Sequence, residues 1–110
     1  MPPHDWVNNL DHQSRLRARM TTDRIGQVMV FTLQLEFLVE DDWRPAVRYD
    51  SAHGEAHIDL IDPSGVRYDI IWLAQTSPYN VLFTLAEDEL EADAAEHRRR
   101  FLRRLKEGQK

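Results

Sequence analysis

Between residues 27 and 40 the chain reads QVMVFTLQLEFLVE, and its apolar residues fall on alternate positions. Met29, Phe31, Leu33, Leu35, Phe37 and Val39 share one parity, while Thr32, Gln34, Glu36 and Glu40 share the other. A period of two is that of a strand with one face buried. The period returns in 43–50, with Trp43, Val47 and Tyr49 on one side and Arg48 and Asp50 on the other. It returns in 55–61, with Ala56, Ile58 and Leu60 inward and His57, Asp59 and Ile61 outward, and residues 66–73 (VRYDIIWL) complete a fourth strand. Pro45 cannot donate to a ladder, so it belongs at an edge or at the start of its strand. Gly54 in the stretch 51–55, and the sequence Asp62-Pro63-Ser64-Gly65, supply turn chemistry between these strands. The predicted sheet is an antiparallel meander.

After residue 75 the period changes. Ser77 and Pro78 read as an N-cap and first helical position. Leu82, Ala86, Leu90, Ala94, His97, Phe101 and Leu105 then recur every three or four residues, with Leu85 and Leu102 widening the stripe. Acids crowd the first half and arginines the last, an order that suits the helix dipole, and Gly108 is a natural stop. One long helix is therefore expected over about 78–106. Residues 1–25 are read as a loosely ordered segment holding a short helix, with Leu10, Leu16 and Met20 as its apolar contacts. The resulting fold class is α+β, a two-layer domain over 26–108 in which a four-stranded antiparallel meander packs on one long C-terminal helix.

Composition narrows the function classes. The chain has 110 residues, enough for a single modest core. No apolar run approaches the ~20 residues that span a bilayer, and the N-terminal stretch lacks the apolar core of a secretory signal. A cytoplasmic protein with no membrane partner is expected. The absence of cysteine excludes disulfides, thiolate zinc sites and a cysteine nucleophile. The net charge of −5 is unevenly spread: from residue 97 on, seven basic residues face one acid, leaving −11 on the first 96. Nucleic-acid contact would therefore lean on Arg99, Arg100, Arg103 and Arg104, or on Arg15, Arg17, Arg19 and Arg24. A solvated helix end is the structural alternative for the C-terminal arginines.

The polar parity of the sheet carries the candidate chemistry. If the helix covers Phe31, Val47, Ile58 and Leu60, the opposite face presents Gln34, Glu36, Arg48, Asp50, His57 and Asp59. A hairpin turning near 51–55 makes Arg48 and Asp50 neighbours of His57 and Asp59. Three uses are open to such a cluster. His53, His57, Asp59 and Asp50 are acceptable ligands for a divalent metal, although the spacing spans a turn and a strand. Alternatively, Arg48 holds a phosphate while His57 moves a proton, with no metal and no cofactor. The third use is a structural polar network.

The run Trp43-Arg44-Pro45-Ala46-Val47-Arg48-Tyr49-Asp50, with His53-Gly54, His57, Asp59 and the Asp62-Pro63-Ser64-Gly65 turn, resembles an uncharacterised prokaryotic family with the pattern WRPxVRYDxAHGxxHxD. In that family a lysine usually follows the turn, where this chain has Arg67. More remotely, a strand carrying arginine, tyrosine and aspartate followed by histidines is similar to TumE-like toxins of toxin-antitoxin systems. The resemblance points to this stretch as the place to look, and the enzyme reading is a toxin-antitoxin or defence-related protein acting on RNA without a metal, with Arg48 binding phosphate, His57 and His53 as acid and base, Tyr49 and Asp50 positioning them, and Asp59 orienting His57. The other reading is a non-catalytic interaction or regulatory module with a cognate protein partner. Open sheet edges make a homodimer a third expectation.

Overall fold

The computed structural model of the protein describes residues 3–51, 54–73 and 77–108. Among these residues, six strands run antiparallel in sequence order: β1 (His4–Asp11), β2 (Ser14–Thr22), β3 (Val28–Val39), β4 (Asp42–Asp50), β5 (His57–Ile61) and β6 (Arg67–Trp72). Two helices follow, α1 (Tyr79–Ala92) and α2 (Ala94–Gly108). α1 packs along β3 and α2 lies against β4. No described helix is long and apolar enough to cross a membrane.

The alternation of β3 organises the core. Phe31, Leu33, Leu35 and Phe37 are almost wholly buried and meet Leu16 and Ala18 of β2, Val47 and Tyr49 of β4, and Phe83, Ala86, Leu90 and Phe101 of the helices. Burial of each of the large side chains contributes roughly 1.5–3 kcal/mol. Edge-to-face packing of Phe31 on Phe83, with centroids 5.5 Å apart, joins β3 to α1, and Phe37 meets Phe101 of α2 at the same distance. Ser51 closes the end of β4: its Oγ accepts from the Phe31 amide at 2.7 Å, and its own amide donates to the Phe31 carbonyl at 3.0 Å.

Several expectations are corrected. Residues 4–22 form a hairpin rather than a loose segment with a helix, so the sheet has six strands instead of four. The decisive feature is the strict alternation of Ser14, Leu16, Ala18 and Met20 with Arg15, Arg17 and Arg19, which pairs β2 with β3 from Ser14↔Phe37 onward. The long helix is broken at Asp93, whose φ of −106° and ψ of 13° depart from helical geometry. Pro78, not Ser77, takes the N-cap position, and no side chain caps the helix. Phe83 enters the core in place of Leu85, which points outward at 57% exposure.

Trp43 also changes sides. Leu35 pairs with Val47 but Glu36 pairs with Pro45, so Ala46 is an extra residue, a β-bulge. One inserted residue reverses the parity of everything before it, and Trp43 leaves the face of Val47 and Tyr49. Pro45 sits beyond the reach of β5, whose pairing begins at Val47↔Leu60, so its missing N–H interrupts no ladder there.

A polar contact from β4 helps to tie the helix layer to the sheet. Tyr49 Oη donates to Glu89 Oε1 at 2.9 Å, and Glu89 Oε2 lies 2.9 Å from His97 Nε2 across the α1–α2 break. Burial first, then the neighbouring Glu89 carboxylate, pushes the Tyr49 phenol far above its ordinary range. Burial alone would raise Glu89, but the hydrogen bonds from His97 and Tyr49 outweigh it and hold the carboxyl below the usual range. A raised tyrosine pKa gives stability that is present below pH ~10 and lost as pH rises through the folded value; a lowered glutamate gives stability that is lost as pH falls below ~4.5. Tyr49→Phe should lower stability by about 1–2 kcal/mol at neutral pH and flatten the alkaline limb, which urea melts between pH 7 and 11 will read.

Candidate functional site

The face of the sheet turned away from the helices is polar, and its rows follow directly from the register. Arg17, Gln34, Arg48, Asp59 and Ile70 stand in one row across β2 to β6, and Arg19, Thr32, Asp50, His57 and Trp72 in the next. Arg48 thus faces Asp59 and Asp50 faces His57. The two rows are two residues apart along each strand, so all these side chains project from the same surface.

One half of this surface is an arginine-carboxylate network. Glu36, 5% exposed, accepts from Arg15 Nε at 2.7 Å and from Gln34 Nε2 at 2.6 Å, with Arg17 Nε further away at 3.6 Å. Gln34 Oε1 in turn accepts from Arg48 Nε at 2.7 Å, which fixes the guanidinium of Arg48 through a neutral partner. Arg15 also lies 4.2 Å over the ring of Trp43, a contact made available by the bulge at Ala46.

The other half is a cavity of about 410 Å³ lined by Asp50, Glu55, His57, Asp59, Arg67, Ile70 and Trp72. His57 Nδ1 lies 3.1 Å from the Glu55 carbonyl, the geometry of a ring N–H donating to it, and Nε2 lies 3.4 Å from Asp59 Oδ2. Asp59 is buried, and its Oδ1 accepts from Arg67 Nη1 at 3.2 Å. The imidazole packs 5.2 Å from the Trp72 ring. A ring tethered at one nitrogen, with the other beside a carboxylate, is placed to carry a proton. The same atoms suit a cation: Asp50, His57 and Asp59 each offer a ligand atom within 4.8 Å of the others. A second nitrogen bonded to a backbone carbonyl is also what orients metal-bound histidines.

Arg48, Asp50, His57 and Asp59 therefore share this face, whereas Tyr49 and the helix arginines do not. Tyr49 has the opposite parity and is buried beneath the helices against Glu89, so it does not line the cluster. His53 lies outside the described residues. The helix arginines belong to the other layer: Arg104 donates to Asp62 Oδ1 at 2.9 Å and stacks over Tyr68, Arg99 pairs with Glu96, and Arg100 and Arg103 are exposed on α2. His97 pairs with Glu89 across the helix break. Sequence reasoning missed the contributions of Arg67, Trp72 and the Glu55 carbonyl. It also missed that Arg15, Arg17 and Arg19 share this face, although their i, i+2, i+4 spacing carried the signal.

The model of a family described as a domain of unknown function (DUF7718) matches residues 1–107. The chain belongs to this family. No curated protein and no solved structure matches it. The family match takes in the N-terminal hairpin as well as the cavity, so β1 and β2 with their outward arginines are part of the family's domain.

The network around Glu36 makes a direct prediction. Glu36→Gln removes a buried charge from beneath Arg15 and Arg17, and should cost about 1–3 kcal/mol in thermal or urea unfolding, with the far-UV spectrum unchanged. The same substitution should shift the Arg48 Nε–H resonance, because Gln34 connects the two.

Proposed function

We propose that the open sheet face acts on RNA, as a toxin-antitoxin or defence-related protein would, by acid/base chemistry at His57. The observation that carries this reading is the cross-strand pairing of Arg48 with Asp59 and of Asp50 with His57. On one sheet face it puts Arg48, whose guanidinium is held by Gln34 and can hold a phosphate oxygen, one strand over from an imidazole tethered to the Glu55 carbonyl. Arg48 holds a phosphodiester oxygen. Neutral His57 takes the proton of the ribose 2′-hydroxyl through Nε2, and the freed oxygen attacks phosphorus. The 5′ oxygen departs with a proton from an acid, the part assigned to His53, leaving a 2′,3′-cyclic phosphate and a 5′-hydroxyl. The Glu55 carbonyl orients the His57 ring, Asp59 Oδ2, 3.4 Å from Nε2, stabilises the imidazolium once that proton is taken, and Arg67 holds Asp59 in place.

The close approach of Asp50, His57 and Asp59 favours a second reading of the same site, in which these three hold a divalent ion that polarises the phosphate. Chelation separates the two. On the first reading, cleavage of a labelled single-stranded RNA continues in EDTA, and His57→Ala slows it by about 10²–10⁴-fold while the melting temperature stays within a few degrees. Loss of cleavage in EDTA with recovery in Mn²⁺ would establish the second. A folded wild-type protein that cleaves no RNA in either condition would overturn both.

A further inference from the structure

We propose that Arg17, Arg19 and Arg48 form a second phosphate subsite on the same sheet face, so that the ligand is a single-stranded oligonucleotide crossing β2 to β6 rather than a single nucleotide. This rests on the reading that the face takes a phosphodiester, but not on how the bond is broken.

The three arginines line a separate cavity of about 280 Å³ together with Asp5, Thr32 and Gln34. Arg17 and Arg19 are two residues apart on one strand face, and Arg48 lies two strands over, beyond Gln34. Like charges so placed repel one another. Asp5 stands opposite Arg19 and Asp59 opposite Arg48, but among the described residues neither carboxylate closes an ion pair with that arginine. Arg17 reaches Glu36 only at 3.6 Å, a carboxylate already bonded by Arg15 at 2.7 Å, and Arg48 is held by a neutral amide. Among the described residues neither Arg19 nor Arg48 forms an ion pair, and Asp5 is the one carboxylate lining the cavity. In a chain whose net charge is −5, three guanidinium groups gathered around one hollow make a local site for an anion. Their planar forks match phosphate oxygens.

Position sets the length of the ligand. Three strand intervals separate Arg17 on β2 from Asp59 on β5, about 14 Å at the usual spacing, too far for one phosphate to engage both ends. Arg48 belongs to the basic cavity and pairs in register with Asp59 of the other, so a backbone can pass from one to the next without leaving the surface. At the far end Trp72, 59% exposed and packed on His57, offers a ring face on which a base can stack. Stacking and phosphate contacts of this kind tolerate any sequence, so length should matter more than base identity.

The test compares a fluorescein-labelled octanucleotide with a dinucleotide, both 2′-O-methyl RNA, by anisotropy across a range of salt. Wild-type protein should bind the octanucleotide at least about tenfold more tightly, and in the Arg17→Ser/Arg19→Ser double variant the slope of log affinity against log salt should fall by about 1.4, the loss of two phosphate contacts. Dinucleotide binding should not change in that variant. Arg17→Lys/Arg19→Lys keeps the charges and should keep most of the slope, which separates lost contacts from a damaged fold. Equal affinity for the two lengths in the wild type, or a slope unmoved by the serine pair, overturns the subsite and leaves the proposed function standing. Failure of the wild type to bind either RNA overturns the proposed function itself.

Discussion

Tyr49 and Asp50 are neighbours in sequence, and the pleat of β4 sends them to opposite faces of the sheet. Tyr49 goes beneath the helices, where its hydroxyl ties the sheet to Glu89 and, through Glu89, to His97 on the far side of the helix break. Asp50 goes to the open face, in register with His57. The obligatory alternation of a strand thus separates the group that holds the two layers together from the groups available for chemistry. A slip of one residue in β4 would exchange them, exposing a buried phenol and forcing a carboxylate into the core, so the core itself fixes the register of the site.

That dependence also explains what could be read in advance. Across 47–50 and 57–60 the two strands pair without a register shift, and the pairing of Arg48 with Asp59 and of Asp50 with His57 follows from parity and turn position alone. Trp43 could not be placed the same way. Nothing in WRPAV distinguishes a regular strand from one with an extra residue at Ala46, because both alanine and valine are compatible with a buried position. The bulge is decided by packing: it lets Ala46 and Val47 both enter the core, and it turns Trp43 toward Arg15.

The N-terminal hairpin was obscured for a different reason. Leucine, arginine, alanine and methionine are all good helix formers, so residues 15–20 carry helical propensity while their polar and apolar order carries a strand's period. Tertiary pairing with β3 settles the conflict, since Leu16 and Ala18 are buried only if β2 lies alongside Leu35 and Leu33. The helix break had the opposite problem. The apolar stripe runs through it in steps of three and four, and the bond between Glu89 and His97, eight residues apart, together with the backbone bonds made by Asp93, holds α1 and α2 together at their junction. A helix at 15–20 would take three arginines off the face that carries Arg48, Asp50, His57 and Asp59.

The energetics of the open face suggest why those arginines stand there. Exposed ion pairs contribute about 0–1 kcal/mol, so a fold of this kind does not need five arginines opposite its helices; threonine, serine or lysine at those positions would leave the core unchanged. Glu36 and Asp59 are the exceptions. Both are buried, and a buried carboxylate requires partners, which Arg15, Gln34 and His57 with Arg67 supply. Once these pairings are taken out, Arg19 and Arg48 are left outside the ion pairs of the described residues, although Asp5 and Asp59 stand opposite them in register, and they share the two rows of His57 and Asp59. Structural demand accounts for the two ends of the network. The arginines that remain outside it are those a phosphate chain would engage.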